Sequence, residues 1–258
     1  MTKTATKIEI IKFPIKISRS DKVMILGSCF AKEIGAHMAE EGYDVVTNPF
    51  GTLYNPISIA NSIARMDHCV LFRPEECVEM GAGAGKICSW WHHTSFARTD
   101  AADVLSNANR ALEEASAFWK GCNKVIITLG TAMVWKLVSS GEVVSNCLKR
   151  PSREFSHEML SVGQVSSVLR RIVDSHPEKE FIFTISPIRH MGEGAHLNTL
   201  SKATLHLGLP SGERAAYFPA YEILLDELRD YRWFAADLVH PSEEAVGQIW
   251  ERFKSAIS

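Results

Sequence analysis

Residues 23–31 read Val23-Met-Ile-Leu-Gly-Ser-Cys-Phe-Ala31, and the fold turns on how this stretch is taken. Val23, Met24, Ile25 and Leu26 form an unbroken apolar run, the pattern of a strand buried on both faces. Gly27 breaks the run, and Ser28 and Cys29 stand at the break. Over residues 30–41 the apolar period lengthens to that of a helix, with Ile34 and Met38 on one face and Gly42 where a helix C-terminus falls. A strand that ends in a tight turn and opens a helix carries small side chains to the carboxyl edge of a sheet. Free helical N–H groups point at the same spot. A nucleophile and an oxyanion both fit there.

Working outward, the same alternation recurs. A short strand is expected at residues 44–47, a turn-rich loop at Asn48-Pro-Phe-Gly-Thr-Leu-Tyr-Asn-Pro56, and a helix capped by Asn55 with Pro56 in its first turn. Residues 67–99 fit no clear period and read as an inserted hairpin around the loop Gly81-Ala-Gly-Ala-Gly85, placed near the site and so a candidate for setting substrate choice. A helix follows from Asp100, then a strand at 124–129 ending in Gly130, and a hairpin at 134–144. Next come a helix from Ser161, a strand at 181–185, a polar helix at 193–207, a strand at 216–218 and helices at 221–230 and from Ser242. Upstream, Ile8, Ile10, Ile11, Phe13, Ile15 and Ile17 suit an edge strand or an arm laid on the core, and Pro14 argues against a central strand. Apolar strands alternating with amphipathic helices imply an α/β protein whose parallel sheet is covered on both faces. Its sites belong beyond the carboxyl ends of the strands.

With 46% apolar and 22% charged residues, the 258-residue chain suits one globular domain, taken here as residues 1–258. A net charge of -2 gives no electrostatic case for nucleic acid or an anionic membrane. No apolar run approaches the ~20 residues that cross a bilayer. The N-terminal MTKTATKIEIIKFPIKIS lacks the continuous apolar core of a signal peptide, and the six cysteines are scattered without a C-x-x-C pair. A cytoplasmic protein with reduced thiols is the expectation. Asp67, His68, Cys69, Cys77 and Cys88 lack zinc spacing, so no metal is expected. The 81–85 loop lacks the strand, helix and lysine of a phosphate loop, and no cofactor is expected.

The distal chemistry lies in Asp237-Leu-Val-His240-Pro-Ser242, just before the last helix. An Asp three residues ahead of a His can fix the imidazole tautomer and leave the second ring nitrogen free as a base. The same residues could simply cap a helix. Arg189 and His190, in a turn after the strand at 181–185, could bind an anionic part of a substrate or form a structural pair.

A nucleophile on the first strand joined to D-x-x-H-P before the last helix resembles the layout of the SGNH, or GDSL-like, hydrolases. Gly27-Ser-Cys-Phe-Ala31 also matches the name-giving motif of the GSCFA family, itself similar to that superfamily. Further stretches resemble the GSCFA pattern: Asn48-Pro-Phe-Gly51, Tyr54-Asn-Pro56, His92-His-Thr-Ser-Phe96, Thr128-Leu-Gly-Thr-Ala132, Ser186-Pro-Ile-Arg-His190 and residues 231–241. The resemblance implies a three-layer α/β/α sandwich with a mainly parallel, flavodoxin-like sheet, and ester or acyl-transfer chemistry. Laid without a gap on the superfamily's Gly-Asp-Ser, Ser28 takes the Asp place and Cys29 the nucleophile place. A shift by one residue makes Ser28 the nucleophile instead. A helix N-terminus and a neighbouring histidine are surroundings that favour a thiolate. His240 would carry the proton, oriented by Asp237.

Backbone donors at the opening turn and at Gly51 would hold the oxyanion. The superfamily's usual G-x-N-D turn falls on Gly130-Thr131-Ala132-Met133, so its Asn donor is missing. Asn48, Asn55, Thr131 or His93 are the candidate replacements, beside Gly130 of the same turn. The implied substrate is a small-molecule or carbohydrate ester or thioester. Alternatives are acyl transfer to a carbohydrate hydroxyl, or binding of a carbohydrate or acyl group without turnover.

Overall fold

The computed structural model describes residues 6–10 and 13–258, so Ile11 lies outside the described residues. The core is a parallel sheet of β1 (Lys22–Gly27), β2 (Asp44–Thr47), β5 (Lys124–Leu129), β9 (Glu180–Ile185) and β10 (Ala215–Phe218). Its order is β10-β9-β5-β1-β2. The chain thus winds outward from β1 in one direction through β2, and in the other through β5, β9 and β10. The crevice between β1 and β5 is the point where that direction reverses, the place where such sheets hold ligands. Register keeps the strand ends level there, with Gly27 opposite Thr128, and Thr128 opposite Thr184.

Strand residues alternate between two apolar layers, as a period of two requires. Met24, Leu26, Val125, Ile127, Leu129, Phe181, Phe183 and Ile185 face the layer of α2 (Pro56–His68), α3 (Ala101–Gly121), α4 (Val162–Ser175) and α5 (Ala195–Gly208). Val23, Ile25, Ile126, Ile182, Ala216 and Phe218 face α1 (Cys29–Glu40) and α7 (Glu243–Ile257). The result is a three-layer α/β/α sandwich. Each fully buried Leu, Ile or Phe contributes roughly 1.5–3 kcal/mol, and these two layers hold most of them. The N-terminal arm packs on the α1/α7 side: Phe13, Ile15 and Ile17 are buried, Phe13 lies edge-on to Phe218 at 6.4 Å, and the Ile17 amide donates to Ile257 O. Of the two readings for this segment, the arm holds over the described residues.

Local signals set the helix ends. Asn55 Oδ1 accepts from the Ser58 amide at 2.9 Å with Pro56 opening α2, and Ser161 and Gln164 form a reciprocal cap on α4. The segment expected as a plain helix at 221–230 differs. A turn, α6 (Ala220–Glu222), runs into a π-helix, Ile223–Leu228, closed by the Arg229 amide on Leu224 O.

Two inserts interrupt the winding. The expected hairpin in the first is β3 (Cys77–Glu79) with β4 (Ile87–Ser89), joined through the glycine loop. The second is larger than expected. β6 (Met133–Leu137) and β7 (Val143–Val144) form the anticipated hairpin, and β8 (Phe155–Met159) pairs on the other edge of β6. No described helix is long and apolar enough to cross a membrane.

Candidate active site

Gly27 adopts φ +136°, and a Cβ there would lie 2.1 Å from Thr128 O, so glycine alone lets β1 turn this close to β5. The loop after β2 then wraps the turn. Asn48 Oδ1 accepts from the Gly27 amide at 2.8 Å, and the Leu53 amide donates to Gly27 O at 2.9 Å. Asn48 therefore shapes the turn. The loop is tied to β5 in the same way, because Tyr54 O accepts both the Gly130 and Thr131 amides, at 2.8 and 3.0 Å.

The two candidate nucleophiles part company at this turn. Ser28 is fully buried; its amide donates to Thr128 O, and its Oγ has no hydrogen-bond partner and makes no side-chain cap to α1. Cys29, the first residue of α1, lines an open cleft of about 510 Å³ beyond the strand ends. Tyr54, Asn55, Thr131, Arg189, His190 and His240 line the same cleft. A side chain from the first strand turn thus shares a cavity with one from the loop before the last helix.

The loop carrying His240 is well built. Asp237 Oδ2 meets His240 Nδ1 at 2.6 Å, while Asp237 Oδ1 accepts from the Val239 and His240 amides, each at 2.9 Å. The His240 amide, the Val239 amide and then the imidazole hold the Asp237 carboxyl down at about 2. With Nδ1 engaged by Asp237, Nε2 is the ring nitrogen left without a hydrogen bond among the described residues. Arg189 anchors this loop: its guanidinium donates to Leu238 O, its amide donates to Val239 O, and it sits 4.6 Å over the Phe234 ring. Its contacts are those of a structural clamp at the cleft wall.

His190 differs from His240. Burial, then Lys202, then His240 push it down to about 4, its Nε2 is buried without a partner, and its ring meets Tyr54 edge-on at 5.4 Å. It is a neutral imidazole at pH 7. Behind it, the wholly buried Lys202 donates to Gly130 O and Ser186 O, at 2.7 and 2.8 Å, and burial brings it down to about 7. Its neighbour Ser201 accepts from the Ala132 amide and meets Thr131 Oγ1.

Several expected oxyanion donors are engaged elsewhere. The Gly51 amide donates to Asn48 O, and Gly51 exists to admit His93, whose Cβ would be 2.4 Å from an added methyl. Gly130 and Thr131 give their amides to Tyr54 O, and Asn55 caps α2. His93, pushed down by burial, accepts from the Ser95 amide on its own turn and is not among the cleft residues. Ala132 is buried in the apolar core and has no polar side chain to offer. The Cys29 and Phe30 amides open α1, where helical N–H groups have no partner earlier in the helix.

The second insert lines one side of the cleft, whereas residues 67–99, expected near the site as the segment setting substrate choice, supply none of its lining residues. Met133, Trp135, Ser145, Asn146, Cys147 and His157 line it, with Glu193 opposite. Trp135 stacks on its cross-strand partner His157 at 3.8 Å, and His157 Nδ1 meets Glu193 Oε1 at 3.0 Å. Sequence reading passed over Tyr54 as a site residue, and over Trp135, His157 and Lys202. Tyr54 had a signal, since it lies in a loop already marked as unusual. Lys202 had none.

Fold and cleft together define a doubly wound α/β protein with a thiol and an Asp-held histidine at its switch point. The GSCFA family model matches residues 22–253, and the chain belongs to that family. Among solved structures, it is similar to an acetyl xylan esterase (Est2A) from the rumen bacterium Butyrivibrio proteoclasticus, at 10% identity and a TM-score of 0.41. That likeness covers 93% of this chain and 64% of the esterase, so the chain spans less than two thirds of that protein's length. No curated protein matches.

Proposed function

We propose that the protein is an acyl-directed enzyme that cleaves an ester or thioester, with Cys29 as nucleophile and His240 as proton carrier. The observation that carries this is the shared cleft, which holds Cys29 and His240 while Asp237 grips Nδ1 at 2.6 Å. Among the described residues no hydrogen bond joins Sγ to His240, and such bonds commonly tighten only around substrate. His240 Nε2 takes the thiol proton, and Sγ attacks the carbonyl carbon. The C–O bond to the alcohol then breaks, and the alkoxide leaves with the proton from His240. Water attacks the acyl-cysteine as His240 takes its proton, the S–C bond breaks to release the acid, and His240 returns the proton to Sγ. A carbohydrate hydroxyl in place of water would make the same apparatus an acyltransferase. Asn146, Glu193 and His157 beside the Trp135 indole favour an ester bearing hydroxyl groups, such as a carbohydrate ester, over a long alkyl ester.

Turnover of p-nitrophenyl acetate and short acyl-thioesters, measured for the wild type and for Cys29→Ala, Ser28→Ala and His240→Ala, tests this. Cys29→Ala should abolish turnover and His240→Ala should lower it by about 10²–10⁴-fold, while a folded Ser28→Ala keeps it. Full activity in Cys29→Ala with none in Ser28→Ala returns the nucleophile to Ser28. Unchanged activity in His240→Ala removes the triad.

A further inference from the structure

Acylation of Cys29 would place negative charge on a carbonyl oxygen beside Sγ, and that oxygen needs donors already in position. The Cys29 and Phe30 amides are backbone candidates, but the amides of Gly51, Gly130 and Thr131 are engaged and Ala132 is apolar and buried. Among the described residues, one side chain is hydrogen-bonded to the thiol. Tyr54 Oη lies 3.6 Å from Cys29 Sγ and lines the same cleft.

We propose that the Tyr54 hydroxyl is the side-chain oxyanion donor of this site, a catalytic residue that stands in for the absent asparagine. The proposal rests on Cys29 as the nucleophile. As the S–C bond forms, the carbonyl π electrons move onto oxygen, and the Tyr54 O–H donates to that oxygen without giving up its proton. When the electrons return, the C–O bond to the alcohol breaks and the leaving oxygen takes its proton from His240. Nothing is oxidised or reduced, and Tyr54 ends as it began. The oxyanion forms two bonds from Sγ, so a phenol hydrogen-bonded to Sγ is within reach of it.

The phenol is held from both ends. Its ring rests edge-on against His190 at 5.4 Å, and its own carbonyl binds the Gly130 and Thr131 amides. Donors fixed in this way need no reorganisation as charge develops. Burial, then the neighbouring Cys29, pushes the phenol above its ordinary value, so it stays a donor across the physiological range. His190, neutral and lacking a partner on Nε2, brings no competing charge to the ring.

The test compares two reactions of one thiol in the wild type and in Tyr54→Phe. The first is acylation by p-nitrophenyl acetate, followed by nitrophenolate release and by the mass of the acetyl adduct. The second is alkylation by iodoacetamide, a displacement that builds no oxyanion. Tyr54→Phe should lower kcat for the ester by about 10²–10³-fold, with KM within about threefold and alkylation within about threefold. A parallel loss in both reactions makes Tyr54 a modulator of the thiol and overturns the proposal, as does an unchanged kcat. Cys29→Ala is run alongside. If it keeps turnover, or the wild type forms no acetyl adduct on Cys29, the reading of Cys29 fails with it. If Cys29→Ala is inactive and Tyr54→Phe is not, only the role of Tyr54 falls. Unfolding by urea confirms that each variant is folded.

Discussion

The inserts at residues 67–99 and 133–159 both carry aromatic residues and histidines, yet they put them to opposite uses. In the first, His92 is fully buried among Phe50, Phe72 and Phe96, with ring centroids 4.4 to 5.4 Å away, and its Nε2 has no partner. Burial, then Arg65, pushes it down to about 3. In the second, His157 lies against Trp135, reaches Glu193 and lines the cleft. The first insert reaches a cavity of about 520 Å³ through Trp91 and Phe72, but contributes no residue to the lining of the cleft with Cys29. A cluster of aromatic and imidazole rings is therefore a poor sign of a site when all of it can bury. Half-buried alternation of polar and apolar residues on a short strand is a better one.

Substitutions should fall on the two sides of this contrast. Phe72→Ala empties part of the first cluster and should lower unfolding free energy in urea by about 3 kcal/mol, with ester turnover per folded molecule unchanged. A loss of turnover in the folded variant would break the contrast. The next effect depends on pH. His92 folded titrates near 3 but unfolded near 6.5, so below 6.5 the unfolded chain binds the extra proton and stability falls as the pH drops. Between pH 7.5 and 5 this amounts to about 2 kcal/mol. His92→Phe should remove that much of the pH dependence in urea titrations at the two values, and an unchanged slope would assign the dependence elsewhere. Trp135→Ala should raise KM for a carbohydrate ester about tenfold, or ~1.4 kcal/mol, with a smaller change in unfolding. Equal losses in both would make it another packing residue. Last, Glu193→Gln removes a partly exposed partner of His157 and should change KM no more than about twofold, in keeping with the small worth of surface ion pairs.

The sheet was legible because its signals are local. Four apolar residues before Gly27, Asn55 before Pro56 and Ser161 three before Gln164 each specify an element without help from the rest of the chain. Phe155-Ser-His-Glu-Met159 was not legible, since its partner β6 lies about twenty residues back and its strand character exists only in that pairing. The π-helix over Ile223–Leu228 has the apolar spacing of an α-helix and gave no warning of its extra residue per turn. Cys29, Asp237 and His240 stood out as candidates because each sits in a short motif, and the fold brings Cys29 and His240 to one cleft. Burial, which register alone does not give, separates the wholly buried Ser28 from Cys29 at the cleft. Tyr54 and Trp135 line the cleft only because segments remote in sequence are set beside them.

Lys202 ties the floor of the cleft together from a helix that neither wall supplies. Its ammonium gathers carbonyls from the turns after β5 and β9, although it follows them in the chain by 72 and 16 residues. The floor of the cleft therefore depends on α5 being docked, because one side chain of that helix ties together the turns after two adjacent strands.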